Sequence, residues 1–184
     1  MGCGDFGPPP PPGKSGWGQH DLVIRRSTDN GHSWGQLTTL LDAIDFPPWK
    51  NISATSKPDN GNAIWDPTPL WDSKTDTAWL FFNGPGREDT DCQAGLCSTW
   101  ETHSTDKGAS WTTPTNMTLQ CQRPGVHAGL RAGNTPGNGH GVQLSSGRLV
   151  VPMYGGAPAG ASICYSDDHG ACDASHAVVN LYVV

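Results

Sequence analysis

Two eight-residue phrases concentrate reactive side chains in this sequence: STDNGHSW at Ser27–Trp34 and STDKGASW at Ser104–Trp111. Each sets a carboxylate, Asp29 or Asp106, among hydroxyls, and positioned carboxylates serve as general acids and bases. The spacing Ser-x-Asp-x-Gly-x-Ser-Trp points to a different use. An Asp side chain accepts hydrogen bonds from the N–H groups of its own turn. Gly31 and Gly108 take a positive φ without a Cβ penalty, Ser27 and Ser104 can bond across the turn, and Trp34 and Trp111 supply a large apolar plug. The phrase is a hairpin device whose carboxylates are committed to the turn. A third copy begins at Ser166, keeps Asp168 and Gly170, and has Cys172 and Asp173 where the final Ser-Trp should stand.

The other polar groups narrow the classes of function. Net charge is -6 with the basic residues scattered, so no basic face or stripe marks a nucleic-acid partner. Apolar runs such as Leu149–Tyr154 fall far short of the roughly 20 residues a membrane helix needs, and no transmembrane segment is expected. Six cysteines allow 15 pairings, among which sequence does not choose. Cys92 and Cys97 are close enough to close a small ring. A zinc site would want a second, closely spaced pair, so neither metal nor cofactor is expected. Two sequons, Asn51-Ile52-Ser53 and Asn116-Met117-Thr118, are compatible with a secretory or lysosomal route.

The elements that must position these residues are short. With 24 Gly, 16 Pro and 8 Trp, and no long stretch of helical periodicity, the chain reads as short strands joined by tight turns. Asp21–Arg26, Thr77–Asn83 and Ala161–Gly170 are strand-like, the last running into the third phrase. GHGVQL, the turn SSG and Arg148–Tyr154 form a β-hairpin, while Ala63–Asp72 leads into the Thr77 strand. The copies start 77 and 62 residues apart, a repeat length of propellers and related arrays. Residues 1–20, with five consecutive prolines at Pro8–Pro12, form a Pro/Gly-rich loop or linker. The propeller domain spans 21–171, and 172–184 is a tail without match.

The segments LVIRRSTDNGHSW, PTPLWDSKTDTAWLFFN, CSTWETHSTDKGASWTTP and PGNGHGVQLSSGRLVVPMY resemble, in this order, the exo-α-sialidase (neuraminidase) family of Asp-box or BNR-repeat type. The resemblance implies an all-β fold: a partial six-bladed β-propeller, here roughly three blades of four-stranded antiparallel sheet, with the Asp-boxes on the rim away from the active site. A whole ring needs about 300 residues or more. The resemblance also implies a sialylated glycan as substrate. The substrate carboxylate sits on the anomeric carbon, where a carboxylate nucleophile would be repelled, and sialidases use a Tyr instead. Three arginines clamp that carboxylate in the family, which suits bidentate guanidinium geometry. No Arg-Ile-Pro motif occurs in this sequence, and Arg25 and Arg26 precede an Asp-box rather than match the clamp. The nucleophilic Tyr and its Glu partner belong to later blades, so this chain alone is expected to be inactive.

Carried over residue by residue, the resemblance makes Asp5, in Cys3-Gly4-Asp5-Phe6, the acid/base candidate, with Asp21 as runner-up. Glu88, just after LFFNGPGR, matches an acidic position facing the substrate's N-acyl or glycerol side. Tyr154 matches a pocket aromatic near the glycerol chain, and Trp65 and Asp66 match pocket-facing positions. His140, in GNGHGVQL, is a further pocket-contact candidate; for Tyr154 a half-buried strand end, for Trp65 core packing, and for His140 a structural role in its glycine-rich turn are the alternatives. His20 is a further ligand candidate or an exposed loop residue. A non-catalytic carbohydrate-binding or interaction propeller remains the other reading of the same residues.

Overall fold

Thr77–Asn83 is apolar at almost every position. A strand of that kind offers a hydrophobic row to each side and must be covered on both. The computed structural model, which describes residues 20–43, 46, 63–86, 99–121, 134–137, 139–155, 160–170 and 178–181, shows how both sides are covered. Among the described residues there is no helix. β1 (Leu22–Ile24) and β2 (Thr38–Leu41) form an antiparallel pair. β3 (Ala63–Asp72), β4 (Thr77–Gly86), β5 (Thr99–Ser104) and β6 (Thr115–Asn116) follow in order as one antiparallel sheet.

The third sheet holds β7 (Asn134–Pro136), β8 (Val142–Gln143), β9 (Leu149–Gly155), β10 (Gly160–Ser166) and β11 (Val178–Leu181). β7 and β8 share one edge of β9, β7 along Met153–Gly155 and β8 along Leu149–Val150. The sheet is therefore four strands wide, with a split inner strand. The split falls level with Pro152, which has no N–H to offer a partner, and whose carbonyl instead accepts the Gly137 N–H at 2.8 Å. The described residues thus form two four-stranded blades and two strands of another.

Alternation along β4 divides its side chains between two cores. Trp79 and Phe81 pack on the buried cluster of Leu70, Leu149, Val151, Met153 and Cys164. Phe82, with Leu80 beside it, joins Leu22, Phe46, Ile64 and Trp100. Each large side chain so buried contributes about 1.5–3 kcal/mol, and the second sheet is held between its two neighbours. The first cluster also contains the Cys121–Cys164 disulfide. It ties the segment after β6 to β10, a pairing the sequence left open.

Two elements differ from the sequence reading. Ala63–Asp72 is itself a ten-residue strand, hidden by Pro67 and Pro69. It lies at the edge of its sheet, where a missing N–H interrupts no ladder. Val178–Leu181, inside the stretch expected to be an unmatched tail, pairs with β10 as the outer strand of the third sheet.

Candidate functional site

Strand registers separate the two rims of the blades. Thr77 pairs with Asp72 and Ala78 with Ser104, so the β3–β4 turn and the second Ser-x-Asp-x-Gly phrase share one rim. The third phrase follows Ser166, which pairs with Leu149 at the start of β9. The opposite rim collects the start of β3, the end of β4 and the end of β9.

At the first rim the repeated phrases adopt one geometry. Asn30, Lys107 and His169 have φ of 58°, 59° and 60°, and the glycines that follow have φ of 85°, 80° and 80°. The Ser27 hydroxyl donates to Asp29 Oδ1 at 2.7 Å and accepts the Gly31 N–H at 2.8 Å. Ser104 does the same with Asp106 and Gly108 at 2.8 and 2.7 Å. Ser166 repeats it with Asp168 and Gly170 at 2.6 and 2.9 Å. Asp29 also accepts the Ser33 hydroxyl and N–H, and with Ser27 these hold its pKa down at about 2. Asp106, bound by the Ser110 hydroxyl and N–H and by Ser104, lies lower still. Carboxylates so committed do not shuttle protons near neutral pH. Trp34 approaches the Cβ position of its own Gly31 at 3.9 Å yet stays 58% exposed, so it caps its turn rather than plugging the blade.

The same rim clasps each blade to the next. Arg26 Nε donates to the Lys107 carbonyl at 3.0 Å, joining the first phrase to the second. Between the second and third sheets stands Asp72, fully buried. It accepts Gln143 Nε2 at 2.6 Å and faces His169 Nδ1 at 2.8 Å. Burial acts to raise the Asp72 carboxyl, but its hydrogen bonds from Thr75, Lys74 N–H, Gln143 and His169 outweigh that and set it below the usual range. This network was not read from sequence. WDSKTD signals a turn, but partners 71 and 97 residues away leave no local trace.

At the opposite rim β3 is bulged. Its register with β4 shifts between Ala63 and Trp65 and again between Trp65 and Thr68, and Asp66 sits at φ 55°. Plain alternation would put Ile64 and Leu70 on one face, yet they lie in different cores; the bulge makes the change. Such bulges re-aim side chains. Here Asp66 meets Tyr154 of the next blade, whose hydroxyl donates to Asp66 Oδ2 at 2.7 Å. Tyr154 is 46% exposed, so this pair is open to solvent. Trp65 meets His20 edge-on, ring centroids 4.1 Å apart. His20 is buried, not an exposed loop residue. Burial lowers its pKa, against a smaller opposing effect of the Asp21 charge. Its carbonyl accepts the Ile64 N–H at 2.9 Å.

The remaining candidates fall out as follows. Asp21 Oδ1 accepts the Ala43 N–H at 2.9 Å, which gives this carboxylate a structural partner at the strand end. His140 is exposed, between β7 and β8. The next residue, Gly141, donates to the Pro69 carbonyl at 2.8 Å, and a Cβ there would lie 2.6 Å from Leu70 Cδ1. Only glycine lets the two inner strands approach so closely. Asp5 and Glu88 lie outside the described residues, as do Cys92 and Cys97. Arg26 and Arg148 both sit at the turn rim, Arg148 in a bidentate pair with Asp167. A cavity of about 180 Å³ lies between the second and third sheets, lined by Trp79, Phe81, Glu101, Met117 and Val151. It reaches from the inter-blade core to the turn rim, where Ser166 and Gly170 also line it, and not to the rim of Asp66 and Tyr154.

Antiparallel blades whose paired strands are connected by Ser-Asp-Gly turns of one geometry define a propeller segment of the Asp-box class. The chain belongs to the BNR repeat-like domain family, of the sialidase type, the family match spanning residues 13–179. It is 33% identical over 174 residues to Sialidase-4 of Homo sapiens, covering 82% of this chain and 32% of that protein. It is 31% identical over 142 residues to Sialidase-3 of Bos taurus (72% and 29% covered) and 28% over 171 residues to a Sialidase of Bacteroides fragilis (82% and 28%). Among solved structures it is similar to the Hadza microbial sialidase Hz136, with TM-score 0.64 and 27% identity, over 83% of this chain and 30% of that one. The chain spans less than a third of each of these relatives.

Proposed function

We propose that this chain is part of an exo-α-sialidase, a retaining glycoside hydrolase that releases terminal sialic acid from glycoproteins, glycolipids or oligosaccharides. The observation that carries the reading is the Tyr154–Asp66 pair, 2.7 Å across two blades on the rim opposite the Asp-boxes. A phenol and a carboxylate on adjacent blades make a polar wall that can accept and donate hydrogen bonds to sugar hydroxyls. Trp65 flanks Asp66 in the chain and adds an aromatic face. In this reading Asp5 is the acid/base and Glu88 a further substrate contact.

The clamp and the nucleophile find no match in this sequence, so the isolated chain holds a sialoside weakly and does not turn it over. Nuclear magnetic resonance titration with sialyllactose tests this, run beside hydrolysis of a fluorogenic sialoside. Expected are amide shifts at Asp66 and Tyr154, millimolar affinity and negligible hydrolysis. Shifts that avoid both residues would overturn the pocket. Turnover abolished by Asp5→Ala would show that the missing groups are dispensable. Tight binding without turnover would instead favour a carbohydrate-binding propeller.

A further inference from the structure

We infer that Asn116 carries an N-linked glycan, added before β6 docks on β5. The sequon Asn116-Met117-Thr118 ends β6, the outermost strand of the second sheet. Thr115 and Asn116 are both exposed, and Met117 just past the strand is buried, so the acceptor lies on the open side of the edge strand. Asn116 Oδ1 accepts the Thr118 N–H at 2.9 Å. That bond engages the carboxamide oxygen and not the nitrogen that a sugar would take. A glycan here is borne on a sheet edge, where bulk blocks pairing with another chain.

A second observation points to the same compartment. Cys121, three residues past Thr118, forms a buried disulfide with Cys164. Structural disulfides form and persist in oxidising, secretory-type environments, where asparagine glycosylation also takes place. The folded sequon is locked: the Thr118 hydroxyl accepts the Thr99 N–H at 3.1 Å and the Met117 N–H donates to the Thr99 carbonyl at 2.8 Å. Transfer must therefore precede docking of β6 on β5. The donor is a lipid diphosphate-linked oligosaccharide. Asn116 Nδ2 bonds to its anomeric carbon, the bond to the diphosphate breaks, Nδ2 gives up one proton, and the lipid diphosphate leaves with no change of oxidation state.

This inference stands apart from the pocket. The test is mass spectrometry of the protein recovered from its own cells and treated with peptide:N-glycosidase in heavy-oxygen water. Asn116 should appear as labelled Asp; recovery of only unmodified Asn116 in molecules whose Cys121–Cys164 bond is closed would overturn the inference. In a second arm the full chain is directed through the secretory route of eukaryotic cells behind a cleavable leader, with Asn51→Gln in every variant. Thr118→Ser should keep the glycan, whereas Asn116→Gln and Thr118→Ala should each lose one glycan step in both retained and secreted pools. Cys164→Ser should give occupancy at or above that of the unsubstituted site; lower occupancy would refute the proposed order of events.

Discussion

Truncation of Asp72 should destabilise this chain more than loss of any exposed carboxylate. Oδ1 accepts the Lys74 N–H at 3.0 Å and Gln143 Nε2 at 2.6 Å, and Oδ2 accepts the Thr75 hydroxyl at 2.7 Å and faces His169 Nδ1 at 2.8 Å. Both oxygens are saturated, and the side chain has 0% exposure. Asp72→Ala leaves these groups without their acceptor. A buried donor left without its acceptor costs about 1–3 kcal/mol, so losing the acceptor of this set should cost about 3–5 kcal/mol. With a urea slope of about 2 kcal/mol per molar, the unfolding midpoint should fall by about 1.5–2.5 M. Asp72→Asn should cost about 1–3 kcal/mol, the price of leaving buried donors imperfectly paired. Its amide group can face the Thr75 hydroxyl and the His169 ring, both able to accept, while its oxygen serves Lys74 and Gln143.

The pH dependence has a fixed sign. The folded pKa of Asp72 is depressed, so its contribution is fully present above the unfolded value of about 3.9 and is lost as pH falls through the folded value. The stability gap between the natural chain and Asp72→Asn should therefore narrow below about pH 4. Urea titrations at pH 7 and pH 3, followed by tryptophan fluorescence, measure both effects. A loss below about 1 kcal/mol for Asp72→Ala at pH 7 would refute the reasoning, since it would mean that the donors find other partners or water.

Three further outcomes are expected. Gly31→Ala should cost about 1–2 kcal/mol for its left-handed backbone, its Cβ meeting nothing nearer than Trp34 at 3.9 Å. Gly170→Ala should cost about 1–3 kcal/mol more from overpacking, because its Cβ would lie 2.5 Å from the Trp79 ring; equal shifts in thermal melting would contradict this. Reducing Cys121–Cys164, or replacing both residues by Ser, should cost about 4 kcal/mol for a crosslink spanning 43 residues, and an unchanged melting temperature would exclude that contribution. Tyr154→Phe removes the hydroxyl held by Asp66 and should weaken sialyllactose binding about tenfold, read from the same resonance titration; unchanged affinity would remove Tyr154 from the pocket.

What was legible in the sequence was local. The turn phrase is a contiguous string whose side chains bond within five positions, so Ser27, Asp29 and Gly31 declare their geometry without any tertiary knowledge. β4 was legible because apolar residues on both faces demand cover. β3 was not, since Pro67 and Pro69 argue against a strand until its edge position is known. The site divides in the same way. Trp65, Asp66 and Tyr154 were nominated one by one through resemblance. That Asp66 reaches Tyr154 depends on a bulge at φ 55° in one blade and the end of a strand in the next, which no spacing in the chain encodes. The partners of Asp72 are equally remote, 71 and 97 residues along the chain.

The two rims are mechanically one system. Tyr154 meets Asp66 only if the second and third blades hold a fixed angle and separation, and three features set that relation. Gly141 admits the inner strands to close contact through its bond to Pro69. The disulfide pins β10 to the segment after β6. Asp72, with Gln143 and His169, locks the turn rim. Because His169 occupies the same left-handed position as Asn30 and Lys107, the turn that shapes the third phrase also aims its imidazole at Asp72. The repeated turns therefore do no chemistry themselves. They fix the angle between blades, and that angle brings a carboxylate on one blade to a phenol on the next.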